Sequence, residues 1–478
     1  MRIKNLAFLV FFFGLISLRS FGQTPISLTF DPSKFTLQSQ EFQGKAIKVR
    51  TFEKIIYVSN PVDTTLQIIN IYVPEAYFNG GNINGYSAET APIFFPNKVG
   101  GYMPARPAAF LNSPQRGGFG GPPSNAVVMA LSKGYVVASA GARGRISPQG
   151  KAPAGIVDLK AAVRYLKLND KTMPGDANKI ISNGTSAGGA MSTLLGATGN
   201  HPDYEPYLTA IGAAKTSDNI FAVSAYCPII SLENADMAYE WQLNKIHQYN
   251  FFGKSGVLNA DAIKVSDELK NAFPAYLNAL KLKDKTNIVL KLDQNGEGNF
   301  KELVQSYLVI SAQKALETGT DLSKHGFLKI ENGRVLSVDF DGYMTYLERM
   351  KTPPAFDGLD NKSFENSLFG TSTIDNQHFT SYSFKNSKAI NASMADAKIV
   401  KMMNPMTYIG DKVAKTAQNW RVRHGAKDKD TSFTIPVILA TTLQNKGFEI
   451  DFALPWDKPH SGDYDLDELF VWMDGVCK

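Results

Sequence analysis

The pattern of apolar and polar residues changes along this chain. Near the N-terminal end it has the two-residue period of strands, and further along, strand-like runs alternate with segments of helical period. Residues 45–75 contain AIKVRTF, KIIYVS and LQIINIYVP, whose alternation predicts neighbouring antiparallel strands. Shorter apolar runs follow in APIFFP, GYVVASAG, KIISNG and IFAVSAY, and AGIVDLKAAVRYLKLND among them has apolar residues at helical spacing. Strands that alternate with helices predict an α/β fold with a doubly wound, mostly parallel sheet.

This rhythm stops between about residue 231 and about residue 400. The segments DAIKVSDELKNAFPAYLNALKLKD and DFDGYMTYLERMKT look helical there, with loops such as DQNGEGNF between. The rhythm returns with NWRVRHG, the helix-like FTIPVILATTLQNKG, the strand-like FEIDFALP and a final helix in DYDLDELFVWMD. We therefore expect two parts of one α/β core, 23–230 and 401–478, separated by a lid insertion, 231–400, that covers a site.

The remaining segment, 1–22, has the features of a secretory signal peptide. Two basic residues precede an apolar run over 6–18, and Ser20 and Gly22 are the small residues expected before a cut at Gln23. The apolar run is too short to span a bilayer comfortably. We expect the protein to be exported, to the periplasm or beyond the cell, without stable membrane insertion.

Composition and charge narrow the possible functions. Hydrophobic residues make up 44% and charged residues 20% of the 478 residues, which is ordinary for a soluble globular enzyme. The net charge of +6 falls to +3 without the leader, because the leader holds three of the 50 basic residues and none of the 44 acidic ones. Such a charge does not indicate a nucleic-acid partner.

The cysteine and histidine pattern predicts neither a metal nor another cofactor. Export permits a disulfide between the two cysteines, Cys227 and Cys477. A buried free thiol is as natural for Cys227, which lies in the apolar run FAVSAYCPI. No spacing of His and Cys residues is typical of a metal site.

The glycine-rich segment ISNGTSAGGAM, residues 181–191, is a candidate nucleophile elbow. A phosphate-binding loop needs a lysine after its glycines, and none follows here. A strand-like KII precedes the segment and a helix-like AMSTLLGATG ends it, which is the strand–turn–helix setting of such an elbow. Gly184 and Gly188 would allow close passage around a strained Ser186. The N–H of Ala187 would then face an oxyanion.

A nucleophilic serine needs a base and an acid that orients the base. Of six histidines, His460 lies in WDKPHSGDYD, before the final helix, where the base belongs in the chain order serine, acid, histidine. Structural roles are expected for the other five. The acid should follow the preceding strand, where Asp428 comes first after the turn and Asp430 is the alternative. Gly100 and Gly101, which follow APIFFP, are candidates for the second oxyanion donor; an ordinary turn is the other interpretation.

Several longer segments resemble the bacterial tannases of subtype B and their feruloyl esterase relatives, from about residue 70 to the end of the chain. The resemblance implies an α/β-hydrolase with a large lid that hydrolyses galloyl esters. It implies Ser186 as the nucleophile, Asp428 as the acid and His460 as the base. The segments are NGTSAGGAMSTLLGATGN, YCPIISLENADMAYEW, RMKTPPAFDGLDNKSFENSLFG, RHGAKDKDTS and HSGDYDLDELFVWMD.

The same resemblance implies that Lys351, Glu365 and Asp430 bind the galloyl hydroxyl groups. Two carboxylates and one ammonium supply the acceptors and donors that the rim of a polyhydroxylated ring requires. Without the resemblance, Lys351 and Glu365 would be interpreted as solvated charges.

The leading hypothesis is an exported serine esterase that acts on galloyl esters of plant polyphenols, with a small aromatic ester as its binding partner. Export departs from the resemblance, because subtype B tannases are usually considered intracellular, and this leaves the acyl group open. One alternative is a feruloyl or acetyl esterase that acts on plant polysaccharide. Another is a non-catalytic binding protein, against which the complete serine, acid and histidine set argues.

Overall fold

A computed structural model describes residues 26–111 and 124–478. The predicted leader, 1–22, lies outside these residues. The strands are β1 (Thr36–Phe42), β2 (Lys45–Ile56), β3 (Ile68–Pro74), β4 (Pro92–Pro96), β5 (Val136–Ala140), β6 (Asp176–Thr185), β7 (Ala222–Tyr226), β8 (Gln248–Phe251), β9 (Lys254–Val257), β10 (Leu328–Glu331), β11 (Arg334–Val338), β12 (Asn419–Arg423) and β13 (Glu449–Ala453).

The α-helices follow the same chain order. They are α1 (Ala126–Ser132), α2 (Ala154–Leu168), α3 (Ala187–Ala197), α4 (Glu205–Ala210), α5 (Leu232–Leu243), α6 (Ala260–Leu280), α7 (Asn299–Glu317), α8 (Phe340–Leu347), α9 (Phe364–Leu368), α10 (Ser381–Lys385), α11 (Ala397–Met402), α12 (Thr434–Asn445) and α13 (Leu466–Cys477). Short 3-10 helices lie at Glu75–Asn79, Pro148–Gly150, Pro202–Tyr204 and Pro405–Thr407.

The core is a nine-stranded sheet in the order β1–β2–β3–β5–β4–β6–β7–β12–β13. The pairs β1–β2, β2–β3 and β3–β5 are antiparallel, and all neighbours from β5 to β13 are parallel. The predicted doubly wound, mostly parallel sheet is confirmed. AIKVRTF and KIIYVS were expected to be neighbouring strands, but AIKVRTF and the start of KIIYVS form the single strand β2, with a register shift between Phe52 and Ile55. The antiparallel pairing of β2 with β3, which holds most of LQIINIYVP, is confirmed. The chain reverses its direction across the sheet around β4. Such a reversal creates a crevice at the carboxyl ends of the strands.

Burial explains why these runs form strands in this sheet. Every residue of β4, β5 and β7 is buried, as expected when helices cover both faces of a parallel sheet. The predicted helix AGIVDLKAAVRYLKLND is α2, in which twelve of fifteen residues are buried. The predicted last helix is α13, which packs Leu469, Phe470 and Met473 inward.

The chain between β7 and β12 leaves the central sheet. It contains α5 to α11 and two separate hairpins, β8–β9 and β10–β11. The boundaries 231–400 of the lid insertion stay a prediction. The sequence did not predict the two hairpins. Each of their strands has only four or five residues, several of them exposed, and so short a strand shows little hydrophobic alternation.

Two element ends in this part differ from the sequence-based expectation. The segment DQNGEGNF was expected to be a loop, but its last two residues begin α7, behind Gly298 at a φ of 143°. The helix expected over DFDGYMTYLERMKT ends at Leu347, because Glu348 has a φ of 66°, which breaks the helical hydrogen-bond pattern.

Both thiols, Cys227 and Cys477, are free and buried. Within residues 26–111 and 124–478, no helix combines the length and the apolar character needed to cross a membrane.

Candidate active site

The candidate elbow lies where β6 meets α3, at the carboxyl edge of the sheet. Ser186 connects them with φ 62° and ψ −126°, a region that costs free energy for any residue with a side chain. Its N–H donates to the carbonyl of Tyr226 at 2.9 Å, and its own carbonyl accepts from the N–H of Ala190 at 3.0 Å. These bonds hold the strained turn, and the half-buried Ser186 stands before the N-terminus of α3 at Ala187.

Close backbone contacts explain the glycines on either side of Ser186. A Cβ at Gly184 would lie 2.3 Å from the carbonyl oxygen of Gly188, and a Cβ at Gly188 would lie 2.7 Å from Oδ1 of Asn97. At Gly189 it would lie 2.6 Å from the carbonyl oxygen of Tyr226. No side chain larger than hydrogen fits these three positions without movement of the main chain.

The loop after β4 packs against the first turn of α3. Asn97 donates through Nδ2 to the carbonyl of Gly188 at 3.0 Å and to Oγ of Ser192 at 3.1 Å. Gly100 and Gly101 follow in this loop, and Gly101 has a φ of 54°. The loop that carries both predicted oxyanion donors is therefore beside Ala187, while the choice between the two N–H groups stays a prediction.

The predicted base and acid are in direct contact. Nδ1 of His460 lies 2.7 Å from Oδ2 of Asp428, whose side chain is completely buried. Oδ1 of Asp428 accepts the N–H groups of Asp430 at 2.9 Å and of Thr431 at 3.2 Å. Burial favours a neutral Asp428, but the nearby His460 and His424 outweigh it and hold the pKa of Asp428 well below its usual range.

The other ring nitrogen of His460 is buried and has no hydrogen-bond partner in the described part of the chain. It lies 3.7 Å from Oδ2 of Asp430. Burial opposes protonation of the imidazole, but Asp428 and Asp430 outweigh it and raise the pKa of His460 well above its ordinary value. Asp428 thus holds Nδ1, and Nε2 is left available for a reacting group.

The loop of His460 packs against the end of β6. A Cβ at Gly462 would lie 1.9 Å from Oγ1 of Thr185, the residue before Ser186. Nδ2 of Asn183, also on β6, donates to Oδ1 of Asp463 at 2.9 Å. The structure therefore brings the loop of the predicted base to the elbow, although some 270 residues separate them in the chain.

The three predicted galloyl-binding residues form one charged cluster next to His460. Nζ of Lys351 lies 3.2 Å from Oδ1 of Asp430, and only 12% of the Lys351 side chain is exposed. Burial opposes the charge on Lys351, but Asp430 and Glu365 outweigh it and raise its pKa. Burial also raises the pKa of Glu365, against the effect of Lys351. The interpretation of Lys351 and Glu365 as solvated surface charges is wrong, because both side chains are largely buried.

Residues that the sequence did not single out position Lys351. Its ammonium lies 4.2 Å from the ring centre of Phe356, whose N–H donates to the buried Asp236 at 2.7 Å. Its main-chain N–H donates to the hydroxyl of Tyr239, and its carbonyl accepts from the buried Arg349 at 3.1 Å. The hydrogen bonds to Tyr239 and Asp236 span 112 and 120 residues of the chain, so no local pattern indicates them.

A second hydrogen-bonded series of serine, histidine and aspartate side chains lies between β7 and β12. His378 is buried and contacts Asp357 at 2.6 Å through Nδ1 and Oγ of Ser387 at 2.8 Å through Nε2. Ser387 follows α10, outside the left-handed region, and its Oγ accepts the N–H of Ala389 at 3.1 Å. Because Ser387 does not lie at a strained elbow, this series of side chains fits the structural role expected for His378, which is to hold a loop in place.

Known proteins resemble this chain in sequence and in overall fold. A family model described as BD-FAE matches residues 118–277. The tannase of Fusobacterium nucleatum is 50% identical, with a TM-score of 0.90, and the match covers 95% of this chain and all of that one. A tannin acyl hydrolase solved in complex with ethyl gallate is 47% identical, with a TM-score of 0.89, over 94% of this chain and 99% of that one.

A curated relative matches a much shorter segment. Esterase LipC of Mycobacterium tuberculosis is 39% identical over 64 residues, which are 13% of this chain and 16% of that protein. The chain therefore spans only a small part of this relative's length. The structural matches, in contrast, extend over nearly the whole chain, and they confirm the predicted α/β-hydrolase fold.

Proposed function

Because this chain belongs to the bacterial tannase family and is a carboxylic ester hydrolase, we propose that its substrates are galloyl esters of plant polyphenols. The observation that carries the proposal is the cluster of Lys351, Glu365 and Asp430 beside His460. A galloyl ring presents hydroxyl groups along one edge, and such groups bind well to buried charges. The relative solved with ethyl gallate supports the same acyl group.

We assign the chemistry of ester cleavage to the elbow and the His460 loop. Ser186 attacks the ester carbonyl while Nε2 of His460 accepts its proton, and Asp428 keeps the second proton on Nδ1. The N–H of Ala187 and one from the Gly100 loop stabilise the oxyanion. His460 then protonates the leaving alcohol, and water, activated by the same imidazole, releases the acid from Ser186.

The cluster of three charges is assigned to selection of the ring. A hydrogen bond to a charged group contributes about 1.5–3 kcal/mol, and an analogue that leaves the charge unpaired loses a similar amount. Methyl benzoate, which lacks the hydroxyl groups, is therefore a poor substrate under this proposal. Ester cleavage itself uses none of the three charges as nucleophile, base or oxyanion donor.

Glu365→Gln is expected to lower kcat/KM for methyl gallate by roughly 10- to 150-fold, the equivalent of one such hydrogen bond. The same change should leave kcat/KM for p-nitrophenyl acetate within about twofold, because the small acyl group does not reach the cluster. Parallel assays of the two esters measure the difference. Glu348→Gln is the matched control, since this glutamate also lies in the insertion but is 64% exposed.

Asp430 gives a second test, which needs control of pH. Its carboxylate lies 3.7 Å from Nε2 of His460 and favours the imidazolium, so Asp430→Asn also lowers the pKa of the base. The variant is therefore compared on the pH plateau, above the pKa of His460 in both proteins. Equal losses on both esters, or no loss on either, for Glu365→Gln and Asp430→Asn would refute the proposed recognition of ring hydroxyls.

A feruloyl esterase is the second candidate, favoured by the match to the family model over residues 118–277. A feruloyl group has a longer acyl arm, and one of its ring oxygens is methylated, so it pairs fewer of the charges. Methyl ferulate should be hydrolysed with a lower kcat/KM than methyl gallate. The reverse order would favour the second candidate.

We also propose that the protein is exported and that the leader is removed. The basic start, the apolar run over 6–18 and the small residues before Gln23 support this. Expression of the full-length gene in a bacterial host, followed by intact mass measurement of the secreted or periplasmic protein, should give a chain that begins at Gln23. Retention of Met1 in the purified protein would contradict the proposal.

A further inference from the structure

Three potential metal ligands, one of which is the candidate acid, lie close together at the carboxyl ends of β7 and β12. Cys227, His424 and Asp428 each offer one donor atom, and these atoms all lie within 4.8 Å of one another. All three side chains are buried. Cys227 follows β7 with a φ of 42°, while His424 and Asp428 follow β12, the neighbouring strand. The cluster therefore rests on two adjacent strand ends of the core and not on the lid.

His424 is the member of the cluster that points to a ligand. Neither of its ring nitrogens makes a hydrogen bond within the described chain, although the side chain is completely buried. Nε2 lies 3.5 Å from Oδ2 of Asp428, and a donor atom of Cys227 lies within 4.8 Å of the ring. A buried nitrogen without a partner costs about 1–3 kcal/mol, so most such groups have one.

Cys227 and Asp428 complete a donor set of sulfur, nitrogen and oxygen. The thiol of Cys227 lies 3.5 Å from the carbonyl oxygen of Ser461, beside His460. Zinc binds such sets with bonds of about 2.0–2.3 Å, which place tetrahedral ligand atoms roughly 3.3–3.8 Å apart. A contraction of about 1 Å from the observed spacing thus suffices for three protein ligands, with water as the fourth.

We propose that Cys227, His424 and Asp428 form an inhibitory site for a thiophilic divalent cation such as Zn²⁺. Binding forms bonds to Sγ, an imidazole nitrogen and a carboxylate oxygen, and it releases the thiol proton to solvent. Inhibition rests on the proposed role of Asp428, because a carboxylate that is bound to the cation no longer holds the Nδ1 proton of His460. Occupancy of the site itself does not depend on that role.

The first experiment measures binding without reference to activity. Co²⁺ is added to the metal-free full-length enzyme, and absorption from a cobalt–thiolate bond is recorded in the near ultraviolet. We expect one equivalent to give the band in the wild type and in Cys477→Ala, the matched control at the other cysteine. Cys227→Ala should lose it. Absence of the band from folded wild-type enzyme would overturn the site.

The second experiment measures inhibition of methyl gallate hydrolysis by Zn²⁺. Wild type and Cys477→Ala should be inhibited reversibly, with recovery in EDTA, whereas Cys227→Ala should need at least about 10-fold more Zn²⁺. His424→Gln should show the same resistance, which covers the case in which Cys227→Ala does not fold. Equal inhibition of all variants would overturn the proposal. A cobalt band without inhibition would retain the site and refute the role of Asp428.

Discussion

Ser186→Ala is expected to lower kcat for methyl gallate by at least about 10⁴-fold while the protein stays folded. The residue supplies the nucleophile in the proposed mechanism, and its strained backbone at φ 62° holds it at the turn between β6 and α3. Loss of the hydroxyl removes the acyl-enzyme route, and only the oxyanion site and substrate binding remain to accelerate the attack of water. Initial rates at saturating ester, with circular dichroism as the test of folding, measure the effect.

His460→Ala is expected to cause a loss of the same size, because the nucleophile and its base act as one unit. The double variant should therefore be little worse than either single variant, whereas independent contributions would multiply. Ser387→Ala is the matched control. This serine lies 2.8 Å from Nε2 of His378, which in turn contacts Asp357, but it does not lie at a strained elbow. A fluorophosphonate should label Ser186 and leave Ser387 free. Near-normal turnover by folded His460→Ala would exclude the assignment.

Asp428→Asn is expected to lower kcat by about 10⁴-fold on every ester, including p-nitrophenyl acetate. The carboxylate lies 2.7 Å from Nδ1 of His460 and keeps the pKa of that imidazole high. An amide in its place can donate to Nδ1, and this would leave the proton on Nε2, where it blocks attack by Ser186. The measurement is kcat on methyl gallate and on p-nitrophenyl acetate, at a pH where the wild type is on its plateau.

Asp430→Asn separates the two acids that the sequence left as alternatives. Asp430 contacts Nε2 at 3.7 Å and pairs with Lys351, so its loss should affect methyl gallate and leave the simple ester nearly unchanged on the plateau. If Asp430→Asn abolished both activities and Asp428→Asn did not, the two roles would be reversed. Retained thermal stability in both variants is the control, because Asp428 also accepts two main-chain N–H groups.

Local sequence patterns predicted most elements of the core and the turn at Ser186. Mostly apolar runs predicted β4, β5 and β7, and the 3.6-residue period predicted α2. These predictions succeed because the spacing of apolar residues within an element already indicates which of its faces is buried. The same holds for the turn at Ser186, whose glycines are required by contacts within the elbow and with its nearest loops. The short hairpins of the insertion had no comparable pattern.

The choice between Asp428 and Asp430 as the acid that orients His460 could not be made from the loop sequence alone. Chain order and the family resemblance favoured Asp428, but the sequence placed Asp430 two residues away in the same loop. The fold separates them, because Asp428 is completely buried against Nδ1 of His460 while Asp430 lies at Nε2 and reaches Lys351. A two-residue difference in a loop changes side-chain direction, which the residue types do not reveal.

Residue types and their order in this chain determined an α/β core, a strained serine turn and a late histidine. Only the tertiary structure brought Glu365 within electrostatic reach of Lys351 and Cys227 within reach of His424. It also left both ring nitrogens of His424 without a hydrogen-bond partner among the described residues. The physical reason is range. Strands and turns arise largely from interactions between residues close in the chain. The charge, the burial and the unused hydrogen-bonding atoms of a side chain depend on segments that are distant in the chain and meet only in the folded protein.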